Sequence, residues 1–293
     1  MAEAGMIYLC GTPIGNLEDI SLRALRIMEE VDLIAAEDTR RIRKLLNYYQ
    51  LKNRTTSLYR DNEREKTPWL LDQAKQGMSI AVVSSAGMPG ISDPGCYLVQ
   101  EALKLGLEIT PIPGPTALIS SLVVSGLPTD SFVFQGFMPR DTAAREELLS
   151  EIRGEKRTVI FYEAPHRLLE TLDRLASLLK DRRVVLMREV TKKHEERLEG
   201  RAKELKERLE GTKPRGEFTL LIEGSSEEDD KDSWQHLSLE EHLLFHLQSG
   251  LSKKKAIKRV AIERDLPKRQ VYQLATRFSV EKSTGKIEIS PEE

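Results

Sequence analysis

The sequence predicts an α/β protein in which two α/β domains are followed by a short helical module. Brief, continuous apolar runs alternate with stretches that carry apolar residues at helical spacing, the pattern of strands covered on both faces and linked by helices. The proline-rich stretch Pro111-Ile112-Pro113-Gly114-Pro115 interrupts that alternation. An acidic, polar run, EGSSEEDDKD over residues 223–232, then precedes a tail rich in lysine and arginine.

In the first half the strand-like runs are Ile7-Tyr8-Leu9-Cys10, Leu33-Ile34-Ala35-Ala36, Ile80-Ala81-Val82-Val83 and Glu108 to Ile112. Between them Leu22, Leu25, Met28 and Val31 form one helical stripe, and Tyr97 to Leu105 forms a second helix closed by Gly106. Strand, helix, strand, helix implies a parallel sheet, because parallel neighbours need a crossover. Prolines fix φ and withdraw backbone donors, which places one domain at residues 1–113 and the next at 114–224. Strand-like runs resume at Phe132-Val133-Phe134, Thr158 to Tyr162, Val184 to Met187 and Phe218 to Ile222. Leu168, Leu169, Leu172, Leu175, Ala176 and Leu179 are the apolar stripe of a helix among them. Residues 225–235 read as an acidic linker and 236–293 as a basic, helix-turn-helix-like module. Its helices are expected at Leu239 to Leu247, Lys253 to Glu263 and Lys268 to Phe278. Gly250 and the turn Asp265-Leu266-Pro267 separate them, and Ser252 and Pro267 suit helix starts.

Bulk properties narrow the function classes. The chain has 293 residues, 39% apolar and 31% charged, a soluble globular composition. No run approaches the roughly 18 apolar residues that span a bilayer, and Met1-Ala2-Glu3-Ala4-Gly5 lacks the basic start of a signal peptide. A cytoplasmic protein with no membrane partner is expected. The formal net charge of −2 leaves nucleic acid open, but the cations cluster in the tail, as in a nucleic-acid-binding module. Cys10 and Cys96 are expected to be small core residues rather than a disulfide or a metal site. His242 and His246 stand one helical turn apart, as zinc ligands can, yet no third ligand is evident; both are expected as surface or packing residues.

Ligands of open α/β sheets bind where strands end and helices begin. Three Gly/Pro loops converge on that edge: GTPIGNLEDI at 11–20, SSAGMPGISDPG at 84–95 and PGPTA at 113–117. Glycine lets backbone approach a ligand, and proline keeps a loop from collapsing. The 84–95 loop has neither the dinucleotide fingerprint nor a Gly-Lys-Ser/Thr phosphate loop. After the second strand, Glu37, Asp38, Arg40 and Arg41 set carboxylates beside guanidiniums, suited to acid–base or orienting work. FYEAPHR at 161–167 closes a later strand. A helix opening at Pro165 would turn its positive end on His166 and favour the neutral, proton-accepting imidazole.

CGTPIGNLEDI, AAEDTR, SSAGMPGISDPG and PIPGPTAL, followed by FYEAPHR, REVTKKHEE and GEFTLLIEG, stand in order across residues 6–224. In this arrangement the chain resembles the tetrapyrrole methylase superfamily of S-adenosylmethionine-dependent methyltransferases, and within it the branch acting on ribosomal RNA. The resemblance implies two α/β domains with the cofactor cleft between them, a homodimer, and a C-terminal helical module. It also implies methylation of the ribose 2′-hydroxyl of a cytidine in the decoding region of 16S ribosomal RNA, within the small ribosomal subunit. Matched residue by residue, it implies cofactor contacts at Pro13, at Ala86, Gly87, Met88, Ile91, Ser92 and Asp93, and at Thr116 and Ala117. From the second domain it adds Met187 and Phe218.

One departure matters: the family's commonest loop begins Ser-Asp-Ala-Gly-Thr-Pro, whereas Ser85 here replaces the aspartate and Met88 the threonine. If that carboxylate makes the contacts, affinity or rate suffers; if backbone makes them, little changes. A methyl group on a sulfonium is already activated and calls for no metal, but a ribose hydroxyl attacks poorly until its proton is taken. Asp38, Glu37, Glu163 and His166 are the candidate bases, which the sequence does not separate. Phosphate contacts are expected from Arg40, Arg41 and Arg167, and from Lys253, Lys254, Lys255, Lys258, Arg259, Lys268 and Arg269 in the tail. Two other readings stay open: an enzyme of this fold acting on a tetrapyrrole or a modified protein side chain, and a non-catalytic RNA-binding ribosome-assembly factor.

Overall fold

The computed structural model describes residues 3, 5–179, 181–226, 237–248, 252–276, 278–280 and 287–289. Contacts divide the chain into two compact units, Met1–Gly224 and Ser225–Glu293.

The first unit holds two five-stranded sheets. The first is built from β1 (Ile7–Cys10), β2 (Leu33–Ala36), β3 (Thr55–Ser57), β4 (Ile80–Val83) and β5 (Ile109–Ile112), in the order β3-β2-β4-β1-β5. All its pairings are parallel. Every residue of β2 and β4 is buried, which is why these strands are apolar throughout rather than alternating. β3 escapes sequence detection because Thr55-Thr56-Ser57 is a short, half-buried edge strand with no apolar run to signal it.

Helices α1 (Leu22–Glu30), α2 (Thr39–Tyr48), α3 (Glu63–Lys75) and α4 (Cys96–Lys104) surround this sheet. Ser21 caps α1 by accepting from the Ala24 N–H, and Asp38 caps α2 by accepting from the N–H groups of Arg40 and Arg41. For α4 the acceptor comes from another helix. The Glu63 carboxylate takes the N–H groups of Gly95, Tyr97 and Leu98 at 2.8, 3.1 and 3.3 Å, a charged acceptor on the positive end of α4. Of the stripe expected on α1, Leu25, Met28 and Val31 pack in the core beside Ala24 and Ile27, while Leu22, in the first turn, is 85% exposed.

The second sheet contains β6 (Phe132–Phe137), β7 (Thr158–Glu163), β8 (Arg183–Arg188), β9 (Glu196–Arg201) and β10 (Phe218–Ile222), ordered β6-β7-β10-β8-β9. Only β6 and β7 pair in parallel; β10 is antiparallel to both β7 and β8, and β9 to β8. All of β10 is buried, as befits a strand in the middle. Helices α5 (Ala117–Ser125), α6 (Thr142–Gly154), α7 (Leu168–Leu179) and α8 (Ala202–Leu209) accompany it. Leu168, Leu172, Leu175 and Leu179 of α7 pack with Phe161, Val184, Leu186 and Leu220.

The second unit comprises α9 (Leu239–Gln248), α10 (Lys253–Glu263), α11 (Lys268–Ala275) and an antiparallel ribbon of β11 (Phe278–Val280) with β12 (Ile287–Ile289). The last helix thus ends at Ala275, and Phe278 opens a strand instead of closing that helix. Leu243, Ile257, Val260 and Val271 form a core of its own. Residues 227–235 of the acidic linker, and Gly250, lie outside the described residues.

The loops after β1, β4 and β5 touch through their backbones. Thr12 and Gly87 form an antiparallel bridge with N–H to O distances of 2.9 and 3.0 Å. A Cβ on Gly11 would lie 2.7 Å from the Gly114 Cα, and one on Gly114 would lie 2.8 Å from the Gly11 Cα. Gly11→Ala or Gly114→Ala is therefore expected to destabilise the protein by about 1–3 kcal/mol through overpacking. Gly154→Ala, whose Cβ meets nothing within 4 Å, serves as the control. Thermal unfolding checks this, and equal melting temperatures for Gly114→Ala and Gly154→Ala would contradict it.

Candidate functional site

Loops from both sheets of the first unit enclose a cavity of about 370 Å³. Its wall is apolar at Ile14, Met88, Ile91, Val190 and Phe218 and acidic at Glu37, Asp93, Glu163 and Glu217. The 84–95 loop holds its shape internally. The Thr12 hydroxyl donates to the Ser84 carbonyl at 3.2 Å, and the Ser84 hydroxyl donates to that of Ala86 at 3.0 Å. Ser92 in this loop takes a φ of 65°, a left-handed conformation costly for a residue with a Cβ.

Most residues expected at a cofactor site come together here: Ala86, Gly87, Met88, Ile91, Ser92, Asp93, Thr116, Ala117 and Phe218 all line the cavity. Pro13 does not; it lies in an adjoining groove with Arg41, Lys44 and Tyr48. Met187 is excluded as well, because its side of β8 faces α5 and it packs with Leu118, Leu122 and Leu221. Tyr162, Val190 and Glu217 are wall residues that sequence reasoning passes over. The signal for them was their place in or beside the strand-end motifs FYEAPHR, REVTKKHEE and GEF.

The candidate bases separate sharply. Asp38 spends its carboxylate on the N-cap of α2 and borders a second groove, with Arg40 and Tyr59, rather than the cavity. His166 is exposed and not among the wall residues; α7 begins only at Leu168, so His166 sits in the preceding turn and not in a first helical turn. Glu163 lines the cavity but both its oxygens are taken. Oε1 accepts from the Ala164 N–H at 2.8 Å, Oε2 from the Thr171 hydroxyl at 2.6 Å, and Arg167 Nε stands 3.7 Å away. Glu37 Oε2 accepts from the Ser85 N–H at 2.8 Å. That bond uses backbone, so the serine at 85 does not remove it.

Asp93 differs from these. Burial, then the nearby negative charge of Glu37, push its carboxyl up to about 6, against smaller opposing effects of the Ser84 hydroxyl and Arg60. The Tyr162 phenol, also in the wall, is pushed up to about 12, chiefly by burial.

Among the expected phosphate-binding residues, Arg41 reaches the cavity wall and Arg40 is 87% exposed beside it. Arg167 is committed internally: it donates to the Pro139 carbonyl at 2.7 Å and flanks Glu163. Lys254, Lys255, Lys258 and Arg259 are exposed on α10 and Lys268 and Arg269 on α11, whereas Lys253 is half-buried.

Cys10 is buried as expected, but Cys96 is exposed, in the first turn of α4. His242 and His246 are buried rather than on the surface, and Glu263 joins them. The two Nε2 atoms are 3.1 Å apart and lie 3.0 and 2.7 Å from Glu263 Oε2. Arg264 Nε donates to His242 Nδ1 at 2.9 Å, and Arg259 pairs with the other carboxylate oxygen. An accepting Nδ1 puts the ring proton of neutral His242 on Nε2, from which it can donate to Glu263 Oε2. The cluster is thus a hydrogen-bonded clamp between α9 and α10.

Burial, with His246 adding to it, pushes His242 down to about 4. An unfolded histidine takes its proton near about 6.5. Between those values the unfolded chain binds the additional proton, so stability is lost as pH falls through that window. Amides of residues 253–263 in the full chain should exchange faster at pH about 5 than at about 7, after correction for intrinsic rates. Equal protection at both would contradict this.

The chain matches the model of Tetrapyrrole (Corrin/Porphyrin) Methylases over residues 6–206. It is 43% identical over 274 residues to a Ribosomal RNA small subunit methyltransferase I of Halalkalibacterium halodurans, covering 93% of this chain and 95% of that one. A Synechocystis protein of the same name is 43% identical, covering 92% and 97%. Another, from Thermotoga maritima, is 45% identical over 220 residues, which is 75% of this chain but 99% of its own. Among solved structures, a Thermus thermophilus uroporphyrin-III-C-methyltransferase aligns with a TM-score of 0.55 at 21% identity, over 75% of this chain and 94% of that one. A diphthine synthase aligns at 0.58 and 15%, over 80% and 96%. A Thermus uroporphyrin-III C-methyltransferase complexed with S-adenosylhomocysteine aligns at 0.52 and 19%, over 74% and 96%. These similarities are of fold.

Proposed function

Since the chain belongs to the tetrapyrrole (corrin/porphyrin) methylase family, we propose that it methylates the ribose 2′-hydroxyl of a cytidine in the decoding region of 16S ribosomal RNA, with S-adenosylmethionine as donor. That it is a methyltransferase of small-subunit ribosomal RNA rests on one observation. Relatives of that name match 92–93% of the chain at about 43% identity, second unit included, whereas the tetrapyrrole and diphthine enzymes share the fold alone. Lysines and arginines exposed on α10 and α11 suit the phosphates of such a substrate.

The cavity fits the donor. Ile14, Met88, Val190 and Phe218 offer apolar faces to an adenine ring, and Glu37 and Asp93 offer negative charge to a sulfonium. When bound, S-adenosylmethionine supplies an activated methyl group on its sulfonium and leaves as a neutral thioether. The chain's part is to orient the hydroxyl, exclude water and accept a proton. Asp93 is the acceptor in this reading: it borders the cavity, and its carboxylate is basic enough to take the ribose O–H proton as the new O–C bond forms. Glu37 and Glu163 hold the surrounding backbone. The homodimer implied by family resemblance belongs to the proposal too, and α5 leaves Ile119, Val123 and Val124 exposed for it.

Transfer of radiolabelled methyl to 30S subunits, free 16S RNA and small tetrapyrroles tests the function. Label on a 2′-O-methylcytidine of the ribosomal RNA is expected, and label on the tetrapyrrole alone would overturn the assignment. Asp93 must be ionised to act, so activity should fall as pH drops through about 6. Asp93→Asn should lose that limb and about 10²–10⁴-fold in rate, with S-adenosylhomocysteine still bound in calorimetry. A variant with the wild-type rate removes Asp93 from the mechanism.

A further inference from the structure

The cavity opens toward two grooves that flank α2, and the same two residues, Arg41 and Ser85, line all three spaces. On one side the groove is bordered by Thr12, Pro13, Lys44 and Tyr48. On the other it is bordered by Thr39, Arg40, Ser57 and Tyr59. A continuous track therefore passes the mouth of the cavity. We propose that single-stranded RNA flanking the target nucleotide lies in this track, with bases stacked on Tyr48 and Tyr59 and phosphates held by Arg40, Arg41 and Lys44. This rests on the assignment of an RNA substrate made above.

Helical geometry sets up one half of the track. Arg41, Lys44 and Tyr48 stand at i, i+3 and i+7 and share one face of α2. Tyr48 is 60% exposed, yet its ring packs edge-on against Tyr49 at 4.9 Å, and the Tyr49 hydroxyl donates to the Leu17 carbonyl at 2.7 Å. Tyr59 is 44% exposed, and its N–H donates to Asn62 Oδ1 at 2.8 Å. Both rings are thus open to solvent; that of Tyr48 rests on a fixed neighbour, which lowers the entropy lost when a base stacks on it, and the backbone that carries Tyr59 is tied to Asn62.

Charge in the track is arranged to suit a polyanion. Its two carboxylates are engaged: Asp38 caps α2 and stands 3.6 Å from Arg40 Nε, and Glu37 accepts from the Ser85 N–H. Arg40, Arg41 and Lys44 are all exposed, and among the described residues Arg41 and Lys44 make no ion pair, whereas Arg40 shares Asp38. Alternating cations and aromatic faces are what sequence-tolerant single-strand binding uses, because every base has a face to stack and every nucleotide a phosphate. A merely solvated charged surface would need neither tyrosine.

The test compares Tyr48→Ala and Tyr59→Ala with Tyr48→Phe and Tyr59→Phe in the full chain. Readouts are the KM for 30S subunits, the affinity for S-adenosylhomocysteine by calorimetry, and the salt dependence of subunit binding. Each alanine variant should raise KM by about 5- to 150-fold, the range that stacking one base spans. The phenylalanine variants should keep wild-type values, and S-adenosylhomocysteine affinity should stay unchanged in all four, which also reports an intact fold. Lys44→Ala should instead flatten the salt slope by about one unit. Unchanged KM in both alanine variants would overturn the inference, as would phenylalanine variants that fail like alanine. If wild-type protein methylates no ribosomal RNA, the functional assignment itself falls; if it does and the tyrosines are silent, only the stacking track falls.

Discussion

Three backbone segments meet beside the cavity, at the roots of the loops that line it, with no side chain between two of them, and the geometry of the site depends on that meeting. Gly11 and Gly114 pack Cα against Cα, and Thr12 bridges Gly87. Loops from three different strands of the parallel sheet are thereby fixed to one another rather than moving separately. The polar groups inside the junction are matched: the Thr12 and Ser84 hydroxyls both donate to loop carbonyls, which avoids the cost of unpaired buried donors. Two further bonds tie the junction to the second sheet and its loops. The Asn16 N–H donates to the Thr191 hydroxyl at 3.2 Å, and the Leu118 N–H donates to the Tyr162 oxygen at 3.2 Å.

Around this junction the carboxylates of the first unit divide by what they bond. Asp38, Glu63 and Glu163 each satisfy backbone or hydroxyl donors at helix starts or turns. Such carboxylates are committed to fixed donors and do structural work. Asp93 meets the opposite conditions, partial burial and a like charge nearby, which raise its proton affinity. A second like charge at position 85, as in the commonest family loop, is absent here because that position is Ser85. What the loop keeps is its backbone bonding, which is independent of that side chain.

Much of this was legible in the sequence, for identifiable reasons. Central strands such as β2 and β4 carry continuous apolar runs, and the loops after β1, β4 and β5 carry glycine and proline, so both the parallel sheet and the loops that line the cavity could be read from the order of residue types. Strand β3 could not, because a polar edge strand has no burial pattern to display. The mixed pairing of the second sheet is equally hidden: β10 is central and buried, and a buried strand looks the same whether its neighbours run parallel or antiparallel. Individual roles were hardest. Sequence spacing does not reveal that Asp38 caps α2, that His166 sits in a turn before α7, or that Arg167 flanks Glu163. Glu263 meets His242 and His246 from another helix, a proximity that residue spacing does not encode.

The second unit has its own hydrophobic core, centred on Leu243, Ile257, Val260 and Val271. A body with a self-sufficient core can be gained or lost by a gene without refolding what precedes it. The Thermotoga relative, aligned over 99% of its length within 220 residues, has no room for such a body in addition to a counterpart of the first unit. The helical tail packs as a cassette in its own right, and Gly11 and Gly114 owe their close contact to the first unit alone.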